Sequence, residues 1–430
     1  MLQIGLLGLG NVGTAVLRRL RAFAVELAHR AGTPLSVRRV AVAHPDRPRA
    51  VELERGLLTA DAWEVVRDPH VDVVVELIGG IEPARGYVLE ALRRGKSVVT
   101  ANKQLMANRG RELLQAAESS GADLFFEGSV AGGVPIIRTI KESLAGDRIH
   151  EIAAILNGTT NYILTRMHEE GLSFGEALSE AQRMGFAESD PSDDVEGHDA
   201  AAKIAILATV AFNSRVVRSD VHCEGIGAIS PREVAYARDL GYTIKLLAHA
   251  ADRPEGMEAA VFPALVPSSH PLASVRHERN AVWMRAEAAG EIVISGRGAG
   301  GDPTASAVLS DLVAVARNRS HNAHGRVACT CYCDKPVRSA SERLTSVCLV
   351  LRVADRPGVF AQVAAAFAEE GVSLHSIVQQ NRGAEADVVL RTHPATERSL
   401  RAVLRRLGAM EVVAGISPLL RVLDGARPGP

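Results

Sequence analysis

The apolar positions fall into stretches of different period. Gln3–Gly8 (QIGLLG) is a continuous apolar run, and from about Val12 to Arg30 the period becomes that of a helix, which predicts a buried strand feeding a helix. The alternation repeats. Ser36–Ala43, Val71–Leu77 (VDVVVEL), Ser97–Thr100 and Asp123–Phe126 read as strands, and Pro83–Arg94 as a helix. Strands and helices in strict alternation predict an α/β doubly wound parallel sheet of Rossmann type.

From about Arg148 the pattern changes. RIHEIAAIL alternates as a strand, Asn157–Asn161 is a turn that caps a helix, Ser173–Met184 is a second helix, and Ala200–Phe212 is helical and apolar almost all round. YTIKLLAHAA, MEAAVFPALV and AVWMRAEAA then read as strands of one mixed sheet carrying helices on one face, an α+β domain. A glycine-rich turn, 296–306, opens a helix to about Asn318 that is expected to return to the first domain. Residues 321–345 are polar and patternless, a linker. Beyond them the strand Val347–Val353, the helix after Gly358, strands at VSLHSIVQQ and ADVVLRTH, a helix from Ala395 to Leu407 and a last strand ISPLLRVL give the β-α-β-β-α-β order of a ferredoxin-like domain, before a frayed tail at 425–430. The expected domains are 1–135 completed by 300–320, 136–299, and 346–424.

Composition narrows the function classes. At 430 residues two or three cores are expected, and a net charge of −1 gives no electrostatic case for nucleic acid or an anionic membrane. No apolar run reaches the ~20 residues of a membrane span, and the chain enters a strand without a leader pattern, so a cytoplasmic protein is expected. Five cysteines do not suggest a disulfide framework. Cys329, Cys331 and Cys333 alternate, which in an extended strand puts three thiols on one face. A metal clip or redox switch is one reading of them and unpaired linker thiols the other, since CxCxC lacks zinc-site spacing.

Candidate chemistry begins at Gly8-Leu-Gly10-Asn11-Val12-Gly13, a GxGxxG run between the first strand and its helix. The glycines permit a tight turn and close approach of a pyrophosphate to the helix N-terminus. After the second strand, Asp46 competes with Arg47 and Arg49, so recognition of a 2′-hydroxyl and of a 2′-phosphate both stay open. Thr100 and Lys103 stand at a strand's C-terminal end, where such sheets place their ligand crevice; Lys103 is either a site residue or a solvated lysine. Glu127, followed by the glycine-rich 128–134, has the oxygens to hold a hard cation, or is a crossover turn. The run 296–301 either approaches a cofactor or merely connects domains.

The densest signal is Glu188–Lys203. Lys203 is the sole charge in the apolar run Ala200–Phe212, and Asp199 precedes it by one helical turn. Burial favours the neutral amine and a neighbouring carboxylate favours the ammonium, which suits the pair to proton transfer; a plain structural ion pair is the competing reading. Glu188, Asp190 and Asp194 upstream make an acid cluster that fits a cationic group such as a substrate ammonium.

With these pieces in place the chain resembles the homoserine dehydrogenases of the long bacterial type over nearly its whole length. GLGNVG at 8–13, TANK at 100–103, EGSVAGGVP at 127–135, NGTTNYIL at 157–164, the Glu188–Lys203 block and GRGAGGDPTAS at 296–306 occur in the family's order, and DRPGVF at 355–360 is similar to an ACT domain. The resemblance implies reversible reduction of L-aspartate 4-semialdehyde to L-homoserine by NAD or NADP. It makes Lys203 the proton donor, Asp199 its support, and Glu188 the holder of the substrate ammonium. Lys103 and Asp194 join the substrate site. Gly8, Gly10, Asn11, Val12, Gly13, Thr100, Lys103 and Gly300 become cofactor contacts, and Glu127, Val130, Gly132 and Val134 a structural sodium site. It also implies a threonine effector at the ACT domain and a homodimer or homotetramer. Two other readings are another amino-acid dehydrogenase and a silent sensor of dinucleotide and amino acid; the sensor predicts loss of Lys203 or Glu188, and neither is lost.

Overall fold

The structure, a computed structural model, describes residues 1–54, 56–325 and 329–423. The expected tail at 425–430 and the linker residues 326–328 lie outside them. The chain divides into two units that interleave in sequence: Met1–His150, Ala202–Asp220 and Asn280–Lys335 form one, and Glu151–Ala201, Val221–Arg279 and the chain from Pro336 form the other.

In the first unit six strands, β1 (Leu2–Leu7), β2 (Leu35–Ala41), β3 (Leu58–Thr59), β4 (Val73–Glu76), β5 (Ser97–Thr100) and β6 (Leu124–Phe125), lie in the order β3-β2-β1-β4-β5-β6, all parallel. This is the Rossmann order, and it reverses between β1 and β4, where such sheets open their ligand crevice. Ile4, Leu6, Val73, Val75 and Val99 of the sheet pack in one core with Val16 and Leu20 of the helix Asn11–Ala22 and with Val308, Leu312 and Val315 of the helix Gly301–Ser320. The late helix therefore completes the first unit's core. Where one helix is expected over Val12–Arg30 there are two, Asn11–Ala22 and Ala24–Ala31, broken at Phe23, whose φ of −116° leaves the helical region.

The hairpin Arg279–Ala286 and Gly290–Arg297 also belongs largely to this unit, and its second strand has no counterpart in the sequence reading. That strand is exposed on alternate residues, and its turn is held by Asp147, which accepts the N–H groups of Ala288 and Ala289 at 3.0 and 2.7 Å. The extended-strand reading of the three cysteines is corrected: Tyr332 N–H donates to Thr330 O, a tight turn about Cys331, and Cys333 alone of the three forms a strand bridge, to Ser214.

In the second unit the strands Ile149–Ile155, Tyr242–Arg253, Gly256–Pro267, Leu420–Val422, Val347–Ala354, Glu385–Thr392 and Leu374–Asn381 lie side by side in that order. Val413–Ile416 pairs with Val347–Ala354 as well, which completes the ferredoxin-like arrangement. The expected last strand ISPLLRVL is thus two short ones. Ser417 and Pro418 separate them: Val350 N–H donates to the Ser417 hydroxyl at 2.8 Å instead of a ladder carbonyl, and Pro418 has no N–H to continue the pairing. The helix expected from Ala395 starts at Glu397, because Thr396 accepts the Ser399 N–H and caps it. Among the described residues no helix is long and apolar enough to cross a membrane.

Candidate functional site

The glycine turn after β1 is dictated by crowding. Gly8 has φ +96°, and a Cβ there would stand 2.8 Å from the Leu77 carbonyl that follows β4. The helix Asn11–Ala22 starts at Gly10 without a side-chain cap, and so does the helix Gly301–Ser320 at Gly300, φ +109°. Gly301 comes so close to Asn11 that a Cβ would lie 2.9 Å from its carbonyl oxygen. Two uncapped helix N-termini therefore stand together, with N–H groups available to an anion. Both line a cleft of roughly 360 Å³ that is also lined by Val12, Lys103, Gly132 and Lys203. The cleft joins open amides, partial positive charge and two lysines, a fit to a dinucleotide's phosphates and to an anionic reaction centre.

Beside it, Glu76 ends β4 as a fully buried carboxylate. It accepts the Thr100 hydroxyl at 2.6 Å and the N–H groups of Ile78 and Gly79 at 2.8 and 3.1 Å. Asn102 donates to Gly80 O at 2.6 Å and caps the following helix by accepting Leu105 N–H at 3.0 Å. Lys103 is the first residue of that 18-residue helix, whose first turn carries no acid. A cation there opposes the helix dipole by about 0.3–1 kcal/mol, a cost that a bound anion offsets. The buried Thr100 hydroxyl is thus spent on Glu76 and does not line the cleft. Glu76 itself escaped the sequence reading, although an acid closing an apolar strand, VVVE, is a legible signal.

The metal candidates lie on the next crossover. Glu127 is buried, and its two carboxylate oxygens accept the N–H groups of Ile137 and Arg138 at 2.9 and 2.8 Å. Its own N–H donates to Asp311 at 2.9 Å, and Arg138 donates to the other oxygen of Asp311 at 3.0 Å. Burial, and then the charge of Glu127, pushes Asp311 up to about 8. Burial also raises Glu127, against the pull of its amide donors. Ala131 and Gly132 are left-handed, φ +54° and +53°, which turns the loop Val130–Val134. The Val134 carbonyl accepts Ile136 N–H. Among the described residues no group of three His, Cys, Asp or Glu is arranged to hold a metal.

In the second unit the acid loop is organised by Asn157. Its Oδ1 caps the helix Gly158–Glu170 by accepting Thr160 N–H at 2.9 Å, while its Nδ2 donates to Asp194 Oδ1 at 2.6 Å and to Asp199 Oδ2 at 2.9 Å. The Thr159 hydroxyl lies 2.9 Å from the second Asp194 oxygen. Asp194 and Asp199 are thus brought together. Asp199, 3% exposed, stands in the first turn of the helix His198–Ala211, and Lys203, 9% exposed, follows one turn later. Glu188 lies exposed on the preceding turn, held through its carbonyl by Gln182 Nε2 at 3.0 Å. Asn157 and Thr159 were legible only as a cap; their second bonds depend on a loop 35–42 residues away.

Comparison with known proteins follows this division. A family profile described as homoserine dehydrogenase matches residues 135–313, one described as the homoserine dehydrogenase NAD-binding domain matches 8–127, and one described as the ACT domain matches 347–411. Homoserine dehydrogenase of Corynebacterium glutamicum is 47% identical, over 97% of this chain and 95% of its own. The crystal structure of a homoserine dehydrogenase from Thiobacillus denitrificans superposes with a TM-score of 0.93 at 41% identity, covering 98% of each chain. A hyperthermophilic archaeal homoserine dehydrogenase in complex with NADPH superposes with a TM-score of 0.61 at 28% identity, over 73% of this chain and 97% of that one.

Proposed function

The chain belongs to the homoserine dehydrogenase family of NAD(P)-dependent oxidoreductases, and on that premise we propose that it interconverts L-homoserine and L-aspartate 4-semialdehyde with Lys203 as the proton-transfer residue. The observation that carries this reading is Lys203 itself, an almost buried lysine lining the same cleft as the two open helix N-termini. When bound, NAD(P) supplies or accepts the hydride. Lys203 neutralises charge on the aldehyde oxygen by giving a proton, and takes it back in the reverse direction. Asp199, one turn earlier, orients that lysine. Asp194, with its oxygens engaged by Asn157 and Thr159, shapes the loop. Glu188, exposed on the turn before the acid loop, receives the substrate ammonium, and Lys103 anchors the anionic end of the ligands. Lys203→Ala should lower kcat by roughly 10²–10⁴-fold with cofactor affinity nearly unchanged. A variant that keeps most of its turnover would make Lys203 a core ion pair only.

The finer assignments extend this proposal. Domains run over 1–135 with 300–320, 136–299 and 346–424. Gly8, Gly10, Asn11, Val12, Gly13 and Gly300 hold the dinucleotide, and Thr100, its hydroxyl taken by Glu76, supports that site indirectly. NADP is the preferred form, because Arg47 and Arg49 follow the second strand and Arg49 is drawn to the glycine turn by its bond to Leu9 O at 3.4 Å. An equal KM for NAD and NADP would refute that preference. A sodium ion would sit on the carbonyls of Val130, Gly132 and Val134. The Glu127 carboxylate, occupied by two amides, supplies charge there and no open ligand, and activity indifferent to replacing sodium by lithium would remove the ion from the account. The exposed edge strand Leu374–Asn381, with Ile377 and Val378 bare, supports assembly into a homodimer or homotetramer, which a monomer in light scattering would contradict. Threonine acts at the ACT domain, in the cytoplasm; unchanged rates with added threonine would exclude it as effector.

A further inference from the structure

A dense cluster of buried charge in the second unit surrounds Arg421. This residue sits on the strand Leu420–Val422, which pairs in parallel with Gly256–Pro267 through Ala264, and it is 1% exposed. Its guanidinium holds Glu224 with both terminal nitrogens, Nη2 at 2.7 Å from Oε1, and holds Glu397 through Nε and Nη2 at 3.0 and 2.9 Å. Arg401, on the helix Glu397–Gly408, also donates to Glu224 at 3.0 Å, and His222 Nε2 lies 2.9 Å from it. Burial alone would raise the Glu224 carboxyl; His222 and Arg421 instead hold it well below the ordinary carboxylate range. Breaking one partner of such a cluster leaves buried charge uncompensated.

The backbone on either side of Glu224 grips the acid loop. Ile226 N–H donates to Val195 O at 2.9 Å, and the Cys223 thiol donates to Glu196 O at 3.1 Å. Gly225 is pressed so closely that a Cβ would lie 2.7 Å from Glu196 Cα and nearer still to the Val195 carbonyl. Gly197 in turn donates its N–H to Asp194 O at 2.9 Å. Residues 195–197, the stretch between Asp194 and Asp199, are therefore clamped by the neighbours of a carboxylate that the C-terminal module holds.

We propose that Glu224 is a positioning residue for the Asp194–Asp199 loop and that Arg421, with Arg401 beside it, holds it in place, so that the C-terminal module bears on the substrate loop through the ion pairs of Glu224 and the adjoining backbone. The inference rests on the reading of that loop as the substrate loop. It gives the ACT module a physical route to substrate binding, and it makes the route independent of which amino acid the module senses.

The test is a double-mutant cycle on the full-length protein with Glu224→Gln and Arg421→Met, reading homoserine KM, NADP KM and kcat. Each single change should raise homoserine KM by about fivefold or more and leave NADP KM within about twofold, and the double change should be no worse than the worse single one. Arg401→Ala, at a more exposed contact with Glu224, should shift homoserine KM in the same direction by about twofold and keeps the test open should Arg421→Met misfold. Hydrogen exchange of peptides spanning 190–199 should quicken in the same variants, with peptides from 97–120 unchanged as the check on folding. Effects that multiply in the double variant, unchanged homoserine KM, or unchanged exchange over 190–199 would overturn the proposal. Wild-type protein inactive on homoserine would instead overturn the assigned reaction, and the exchange result would still decide the clamp.

Discussion

Replacing Asn157 by aspartate isolates what holds the two acids together. The substitution keeps the oxygen that caps the helix Gly158–Glu170 and removes the amide that donates to Asp194 at 2.6 Å and to Asp199 at 2.9 Å. Each hydrogen bond to a charged group is worth about 1.5–3 kcal/mol, the upper end for the buried Asp199 and the lower for the half-buried Asp194. A third carboxylate then stands among two others, and two like charges about 4 Å apart at an effective dielectric near 20 repel by roughly 4 kcal/mol. Uptake of one proton relieves much of this, so about 2 kcal/mol should reach substrate binding, a homoserine KM raised about 30-fold. Asn157→Ala loses the cap as well, about 1 kcal/mol of stability, but adds no charge, so its KM should rise less. Acid should narrow the defect of the aspartate variant and leave that of the alanine variant unchanged, because only the first gains from a proton. The assay is homoserine KM for both variants from about pH 6 to 9, read as nicotinamide absorbance. An aspartate variant within twofold of wild type, or an alanine variant that is worse at every pH, would reduce Asn157 to a helix cap.

Two further outcomes follow from buried groups outside the acid loop. Asp311, raised from 3.8 to about 8, contributes stability that is full below its unfolded value and is lost as pH rises toward 8, so Asp311→Asn should flatten the fall of the melting temperature over that window; a variant with the wild-type slope would refute the assignment. Lys245, 1% exposed and lowered by burial to about 7, donates to Asn161 Oδ1 at 2.9 Å and Val275 O at 2.5 Å. Lys245→Met should cost about 1–3 kcal/mol through the acceptor Asn161 Oδ1 left without its lysine donor, Val275 O keeping Asn161 Nδ2 at 3.3 Å, partly offset by relief of the buried charge, read as a lower urea midpoint; an unchanged midpoint would contradict this.

What was legible in the sequence is what local rules impose. The VDVVVEL run and the GLGNVG turn announce a buried parallel strand and a nucleotide turn because strand burial and glycine crowding are encoded within a few residues. The β-α-β-β-α-β order of the last domain was read for the same reason. Contacts set by distant segments were not legible. Nothing near Glu76 says that Thr100 will bond it, and nothing near Asn157 names Asp194 and Asp199 as its partners. The strand Gly290–Arg297 was missed because it runs into the glycine-rich turn, and the break at Ser417 needed Val350 from another strand as the donor to the serine hydroxyl. The Arg421 cluster unites residues from β-strand, helix and loop up to 197 positions apart, beyond any local pattern.

The assigned reaction is decided by the initial rate of homoserine oxidation by the purified protein with NADP and with NAD, followed at about 340 nm. The expected result is an absorbance rise that requires both homoserine and cofactor and is faster at low NADP than at low NAD. No absorbance change with either cofactor would contradict it.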